Sequence, residues 1–241
     1  MAKILITGSS SGIGMAAAES FLSKGHEVIG ISRRIPQALT ENLSYTHYQI
    51  DLSKLNDLKK KFKEITEKHP DLSIVILNAG MGLFKEIDQI STHDIIKVVN
   101  VNLVSQMILL NLLVKNLRKI SNAKIIFIGS EAGLSGSKKS SIYSATKFAI
   151  RGFAQSLQKD LSNTNIQVNL LNPGAIETEF YNNLNFIPGG HNNNSISVKQ
   201  ITDLINFIIE QKNNFYFEEI NLKQIQRVFN NKSIATDKNI I

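Results

Sequence analysis

Cysteine is absent from all 241 residues. Its absence excludes disulfides, cysteine-ligated zinc, iron–sulfur clusters and a cysteine nucleophile. It also fits a reducing compartment, and a chain of this length can bury a full core without such staples. Long apolar runs are missing too. Lys3 is followed only by Ile4-Leu5-Ile6 before Thr7-Gly8, too short for a secretory core. The most apolar helical stretch, residues 95–114, is interrupted by Lys97, Asn100, Asn102, Ser105 and Gln106. A membrane span needs roughly 18–20 apolar residues in a row. The expectation is a soluble, cytoplasmic protein with no membrane partner. The five histidines lie far apart with no metal-ligand spacing, so no metal is expected.

The formal net charge is +7, but the basic residues do not form a phosphate track. The densest group, Lys59-Lys60-Lys61 with Lys63, alternates with Leu58, Phe62 and Ile65 at helical spacing. That pattern reads as the solvated face of an amphipathic helix, so no nucleic-acid partner is expected. An anionic substrate stays open.

Short apolar runs alternate with longer helical patterns along the whole chain. Strands are expected near residues 3–7, 26–31, 45–50, 73–77, 123–129, 166–171 and 217–222. Helices are expected over 12–24, 55–68, 92–119, 141–161 and 198–211. The strand runs are continuously apolar, as in parallel sheets covered on both faces. The fold class is therefore α/β: a doubly wound, mostly parallel sheet of about seven strands in one domain over residues 1–229. Residues 179–197, rich in Asn, read as the least ordered stretch, and residues 230–241 as a polar tail.

The first strand runs into Thr7-Gly8-Ser9-Ser10-Ser11-Gly12-Ile13-Gly14, and a helix follows at once. Gly8 permits a tight turn, Gly12 lets backbone approach a pyrophosphate, and Gly14 lets helix and sheet pack closely. The helix N-terminus offers free N–H groups to phosphates, and the three serines add hydroxyl donors. A Walker A loop is excluded, because no Gly-Lys-Ser/Thr follows. No acid follows the second strand to bond a ribose 2′-hydroxyl. Ser32-Arg33-Arg34 stands there, and two guanidiniums suit a 2′-phosphate, so NADP(H) is favoured over NAD(H). Asp51 could bond the adenine amino group or cap the next helix.

Tyr143 and Lys147 lie four residues apart on one expected helix face. A free phenol has a pKa of about 10, and a neighbouring ammonium favours the phenolate. The pair thus makes a general acid/base. Ser130 ends the fifth strand, where open α/β sheets bind ligands, or it simply caps a turn. Asn102 reads as a buried structural amide or as the holder of a relay water.

Together these motifs resemble the short-chain dehydrogenase/reductase family in its short single-domain form. Thr7-Gly8-x-x-x-Gly12-x-Gly14 is similar to its cofactor loop, Asp51-Leu52 to its adenine-side pair, and Asn78-Ala79-Gly80 to its turn after strand four. Asn102, Ser130, Tyr143 and Lys147 match its catalytic tetrad, and Pro173-Gly174-Ala175-Ile176-Glu177-Thr178 its turn near the nicotinamide. The resemblance implies that Ser10, Ser11, Ile13, Ile176 and Thr178 also touch the cofactor. Lys147 would hold the nicotinamide ribose and depress the Tyr143 pKa, Ser130 would orient a carbonyl, and Asn102 would hold a proton-relay water. It implies reduction of a ketone or aldehyde to an alcohol, or the reverse, and a homodimer or homotetramer built on the two long helices. Residues 179–197 would form a substrate lid, with Phe84, Leu134 and Tyr181 beside Ser130 in the substrate pocket. A catalytically silent NADP(H)-binding sensor or scaffold is the alternative. The C-terminus departs from the family's usual ending and reads Glu218-Glu219-Ile220-Asn221-Leu222.

Overall fold

A computed structural model of the chain describes residues 1–182, 184–211 and 214–232. Seven strands form one parallel sheet: β1 (Lys3–Thr7), β2 (Glu27–Ser32), β3 (Tyr45–Gln49), β4 (Ile74–Leu77), β5 (Ala123–Ile128), β6 (Ile166–Pro173) and β8 (Glu219–Leu222). Their spatial order is β3-β2-β1-β4-β5-β6-β8. The order reverses between β1 and β4, and such switch points open a crevice at the carboxyl ends of the strands.

The apolar central strands are explained by the two cores, while the edge strands β3 and β8 are more polar and less buried. Leu5, Val75, Ile125 and Phe127 face one side, packed by α2 (Leu58–Lys68), α4 (Ser105–Leu117) and α5 (Ser141–Asp160). Ile4, Ile6, Ile76 and Ile126 face the other, under α1 (Gly12–Ser23) and α6 (Val198–Glu210). Each neighbour along a strand is thus buried on an opposite face. The expected Rossmann-type α/β domain is the observed fold.

Three features differ from expectation. The helix expected over 92–119 contains a π turn, Asn100–Val104, between α3 (Thr92–Val99) and α4. Two amides in that turn bond outward from the helix. Asn100 Nδ2 donates to Ser53 O at 3.0 Å, and Asn102 Nδ2 to Met81 O at 3.0 Å. An 18-residue window of the rod Thr92–Leu117 reaches a mean hydropathy of 1.6, so by length and composition alone its interruptions do not bar it from crossing a membrane. Leu109, Leu110, Leu113 and Leu117 nevertheless sit in the core. Finally, the stretch read as loop and tail carries a second, two-stranded antiparallel ladder: β7 (Phe186–Pro188) pairs with β9 (Phe229–Asn231). Asn and Lys around Phe229 masked a strand whose partner is distant in sequence. The remainder of the expected tail, residues 233–241, lies outside the described residues.

Helix α1 is held close to β1 by Gly14. A Cβ there would lie 2.2 Å from Gly8 O and 2.6 Å from Asn78 Nδ2. Gly14→Ala is expected to cost roughly 1–3 kcal/mol and to lower the melting temperature by several degrees. Calorimetry of the two proteins checks it.

Candidate active site

The site begins where β1 and β4 end. Thr7 Oγ1 accepts from both Asn78 N and Ala79 N, each at 3.0 Å, and Asn78 Nδ2 returns a bond to Thr7 O at 3.0 Å. Gly8, at φ +72°, turns the chain away from the sheet, and Gly12, at φ +53°, starts α1. Both need the left-handed region that glycine alone enters freely. Ser11 precedes α1 without a side-chain capping bond. The first N–H groups of α1 therefore have no side-chain acceptor there, as an anion site requires. Ser10 and Ile13 are half-buried beside them. Ser9 differs from expectation: it is buried and accepts from the Tyr45 hydroxyl at 3.2 Å, so it anchors the loop from below and offers nothing to a ligand.

At the end of β2, the Ser32 hydroxyl donates to Arg34 O at 2.7 Å, which shapes the turn. Arg33 and Arg34 are exposed, and neither forms an ion pair among the described residues. Asp51 does not cap the following helix. Its Oδ1 accepts from Ser53 N at 3.0 Å and Ser53 Oγ at 2.7 Å, closing a local turn. Burial works against its charge, but the Ser53 bonds and the Arg33 charge outweigh it and hold the carboxyl below its usual range. Leu52 is buried in the core beside it.

The turn after β4 meets the tetrad. Asn102 is fully buried; its Oδ1 accepts from Met81 N at 2.8 Å, and its Nδ2 donates to Met81 O and to Thr146 Oγ1, both at 3.0 Å. Thr146 in turn donates to Tyr143 O at 2.7 Å. A Cβ on Gly80 would lie 3.7 Å from Lys147 Nζ and 3.8 Å from Asn102 Oδ1, so both groups flank that glycine. Ser130 caps the short turn Glu131–Gly133, accepting from Ala132 N at 3.1 Å, and its side chain favours the ionised form of the neighbouring Tyr143 phenol. Asn102, Ser130, Tyr143 and Lys147 are thus brought together at the carboxyl ends of β4 and β5. Sequence reasoning left out Thr146, Gln106 and Gln224. Gln106 Nε2 donates to Ala79 O at 3.0 Å, and Gln224 Oε1 accepts from Ala175 N at 3.2 Å. The position of Gln106 in an amphipathic helix, polar yet on the core side, was the one available signal.

The electrostatics depart from expectation. Lys147 Nζ donates to Ile128 O at 2.9 Å and lies 5.8 Å from the centre of the Tyr143 ring. Burial pushes the phenol up to about 12, with the Ser130 hydroxyl lowering it and the Glu131 charge raising it. Burial also pushes Lys147 down to about 8. The expected lowering of the phenol by the ammonium is therefore not what the protein's own groups produce. Desolvation disfavours both charged forms and dominates.

Tyr143 is only 7% exposed. Phe84 and Phe180 lie over it, with ring centres 5.3 and 5.8 Å away. Tyr181 packs against Phe180 and Phe186, while Leu134, half-buried, ends the Glu131–Gly133 turn. Pro173 closes β6, Gly174 N donates to Leu222 O at 2.8 Å, and Ile176 bridges to Ile196. Thr178 Oγ1 caps the turn Glu179–Tyr181, and its methyl would lie 3.3 Å from a Cβ on Gly12. A cavity of about 560 Å³ runs from Gly12 and Met15 past Thr178 to Ile187 and Lys232. Neither Tyr143 nor Ser130 lines it.

A parallel sheet with a glycine turn at its switch point defines a dinucleotide-binding domain of the Rossmann class. The family model for short chain dehydrogenase matches residues 2–186. An uncharacterized oxidoreductase of Schizosaccharomyces pombe is 30% identical over 179 residues, covering 73% of this chain and 61% of the relative. The 3-oxoacyl-(acyl-carrier-protein) reductase of Buchnera aphidicola is 31% identical over 222 residues, covering 86% and 89%. Among solved structures, ElxO with NADP bound superposes with a TM-score of 0.79 at 25% identity, covering 92% of this chain and 96% of that one. 4-Hydroxyisoleucine dehydrogenase with NADH and succinate gives 0.80 at 25% identity, covering 91% and 96%. The chain belongs to the short chain dehydrogenase family, whose members work on alcohol and carbonyl groups with a nicotinamide cofactor.

The buried pair makes a prediction about stability. Lys147 is held at about 8, below its unfolded value of 10.5. Between these values the unfolded chain binds a proton that the folded chain does not, so stability rises with pH. Above pH 10 the raised Tyr143 phenol acts in the opposite sense. Denaturant unfolding between about pH 7.5 and 9.5 should show a rise with pH that is smaller in Lys147→Met.

Proposed function

We propose that the protein is an NADPH-dependent reductase of ketones or aldehydes, with Tyr143 as its general acid. The observation that carries this reading is the single network joining the glycine turn, Asn102, Thr146 and Tyr143, with Lys147 and Ser130 alongside. When bound, the nicotinamide supplies a hydride to the carbonyl carbon. Ser130 orients the carbonyl oxygen, and the Tyr143 hydroxyl gives that oxygen its proton. Lys147 would hold the nicotinamide ribose and carry the replacement proton, which a water near Asn102 would pass from solvent. A cationic nicotinamide and a protonated Lys147 together would bring the phenol down from about 12, which the protein alone does not do.

The glycine turn, the uncapped start of α1 and the paired arginines fit a phosphate-rich dinucleotide. We assign the adenine end to Ser32, Arg33, Arg34, Asp51 and Leu52, and the pyrophosphate to the loop from Gly8 to Gly14. The nicotinamide end falls to Asn78, Ala79, Gly80, Pro173, Gly174, Ile176 and Thr178. NADP bound to ElxO supports the choice of cofactor; NADH bound to 4-hydroxyisoleucine dehydrogenase argues that the arginines, not the fold, make it. Phe84, Leu134 and Tyr181 would line an apolar substrate pocket. A homodimer or homotetramer in the cytoplasm completes the reading; Ile96 and Phe148, 55% and 44% exposed on the long helices, support a covered face there. The ring cover over Tyr143 favours the second reading, an NADP(H)-binding protein without turnover.

Tyr143→Phe should lower kcat for carbonyl reduction by about a thousandfold or more while leaving the NADPH dissociation constant within about twofold. A wild type that binds NADPH tightly but reduces nothing across ketones, aldehydes and 3-oxoacyl thioesters would favour the second reading. For the cofactor, Arg33→Ala should weaken NADPH binding by roughly tenfold and NADH binding by less than twofold. Titration calorimetry with both dinucleotides measures the difference; equal losses would refute the charge argument.

A further inference from the structure

The segment after β8 is not a tail. Gln226 N donates to Asn193 O at 2.9 Å, and Asn194 Nδ2 donates to Gln226 O at 3.3 Å. Arg227 pairs with Glu131 at 3.4 Å, beside Ser130. Gly189 N donates to Val228 O at 2.9 Å, and Lys232 N to Asn185 O at 2.8 Å. Lys232 Nζ then donates to the carbonyls of Tyr181 and Asn182, where the turn Glu179–Tyr181 leaves its last acceptors. A cation on those carbonyls satisfies groups that a helical turn orphans.

The same segment reaches the phenol through rings. Phe229 meets Phe186 edge-on at 5.6 Å, Phe186 meets Phe84 at 5.1 Å, and Phe84 meets Tyr143 at 5.3 Å. Rings at such separations and angles attract beyond their buried area. Yet β9 lies on the outside, with Phe229 36% exposed. A two-stranded ribbon is marginal by itself, so this ladder can part without unfolding the domain.

We propose that residues 224–232 are a latch. Through Phe186 and Tyr181 it holds the cover of Phe84 and Phe180 shut over Tyr143, and Phe229 and Lys232 set the size of substrate that reaches the phenol. The latch belongs to this chain's unusual ending and uses no residue of the tetrad. Only its kinetic consequence rests on the reductase reading above.

The test compares wild type with Lys232→Met, Phe229→Ala and Lys232→Arg, all as full chains. Without the ammonium or the ring, amide exchange at residues 184–190 should quicken roughly tenfold while the parallel sheet stays protected. Tetranitromethane should then nitrate Tyr143 several-fold faster, read by peptide mass spectrometry. The ratio of kcat/KM for benzophenone to that for acetone should rise by roughly tenfold, and Lys232→Arg, which keeps the donors, should stay near wild type. Unchanged exchange and nitration in both Met and Ala variants would overturn the latch. Faster exchange with an unchanged size ratio would overturn its role in access. A wild type that reduces neither ketone counts against the reductase reading alone, and exchange and nitration still decide the latch.

Discussion

The Thr7 hydroxyl is the pin on which the site turns. By accepting from two consecutive amides beyond β4, it fixes the end of that strand to the end of β1, where the strand order reverses. From this point bonds run in sequence through Met81 to Asn102, on to Thr146, and to the backbone of Tyr143. The glycine turn and the helix that carries Tyr143 and Lys147 are far apart in the chain, but each is positioned by the same few short bonds. Buried networks of this kind hold geometry because every missing partner leaves an uncompensated polar group.

Burial and charge compete at the centre of that arrangement. The helix spacing of Tyr143 and Lys147 suggests an ammonium that acidifies a phenol. Inside a dry site, each group instead drifts toward neutrality, to about 12 and about 8. At neutral pH the phenol is uncharged, while Lys147 still carries most of its positive charge. A further positive charge beside the phenol, such as an oxidised nicotinamide would bring, would lower it from about 12.

The sheet was readable because apolar runs and glycine positions are local signals: β1, β4, β5 and the loop between Thr7 and Gly14 follow directly from them. So was the grouping of Asn102, Ser130, Tyr143 and Lys147, through resemblance and strand ends. What escaped depends on contacts between distant segments. Ser9 looks like its neighbours Ser10 and Ser11, and only Tyr45, 36 residues away, turns it inward. The ladder of β7 and β9 joins an Asn-rich loop to a polar ending, neither of which has strand periodicity. Asp51 offered two roles in the sequence, and the turn it closes with Ser53 through one carboxylate oxygen removes only the helix-cap role.

The π turn at Asn100–Val104 has a consequence for how this chain can vary. Such a turn amounts to one surplus residue in an otherwise regular helix. Losing one residue there would relax the bulge to ordinary α-helix, because the wide turn already absorbs the surplus and keeps the downstream faces in phase. Leu109, Leu113 and Leu117 would keep their places in the core, while Asn100 and Asn102 would lose the outward turn that carries them to Ser53, Met81 and Thr146. The surplus residue is therefore kept for the two amides that the turn presents, Asn100 and Asn102, and not for the packing of the helix beyond it.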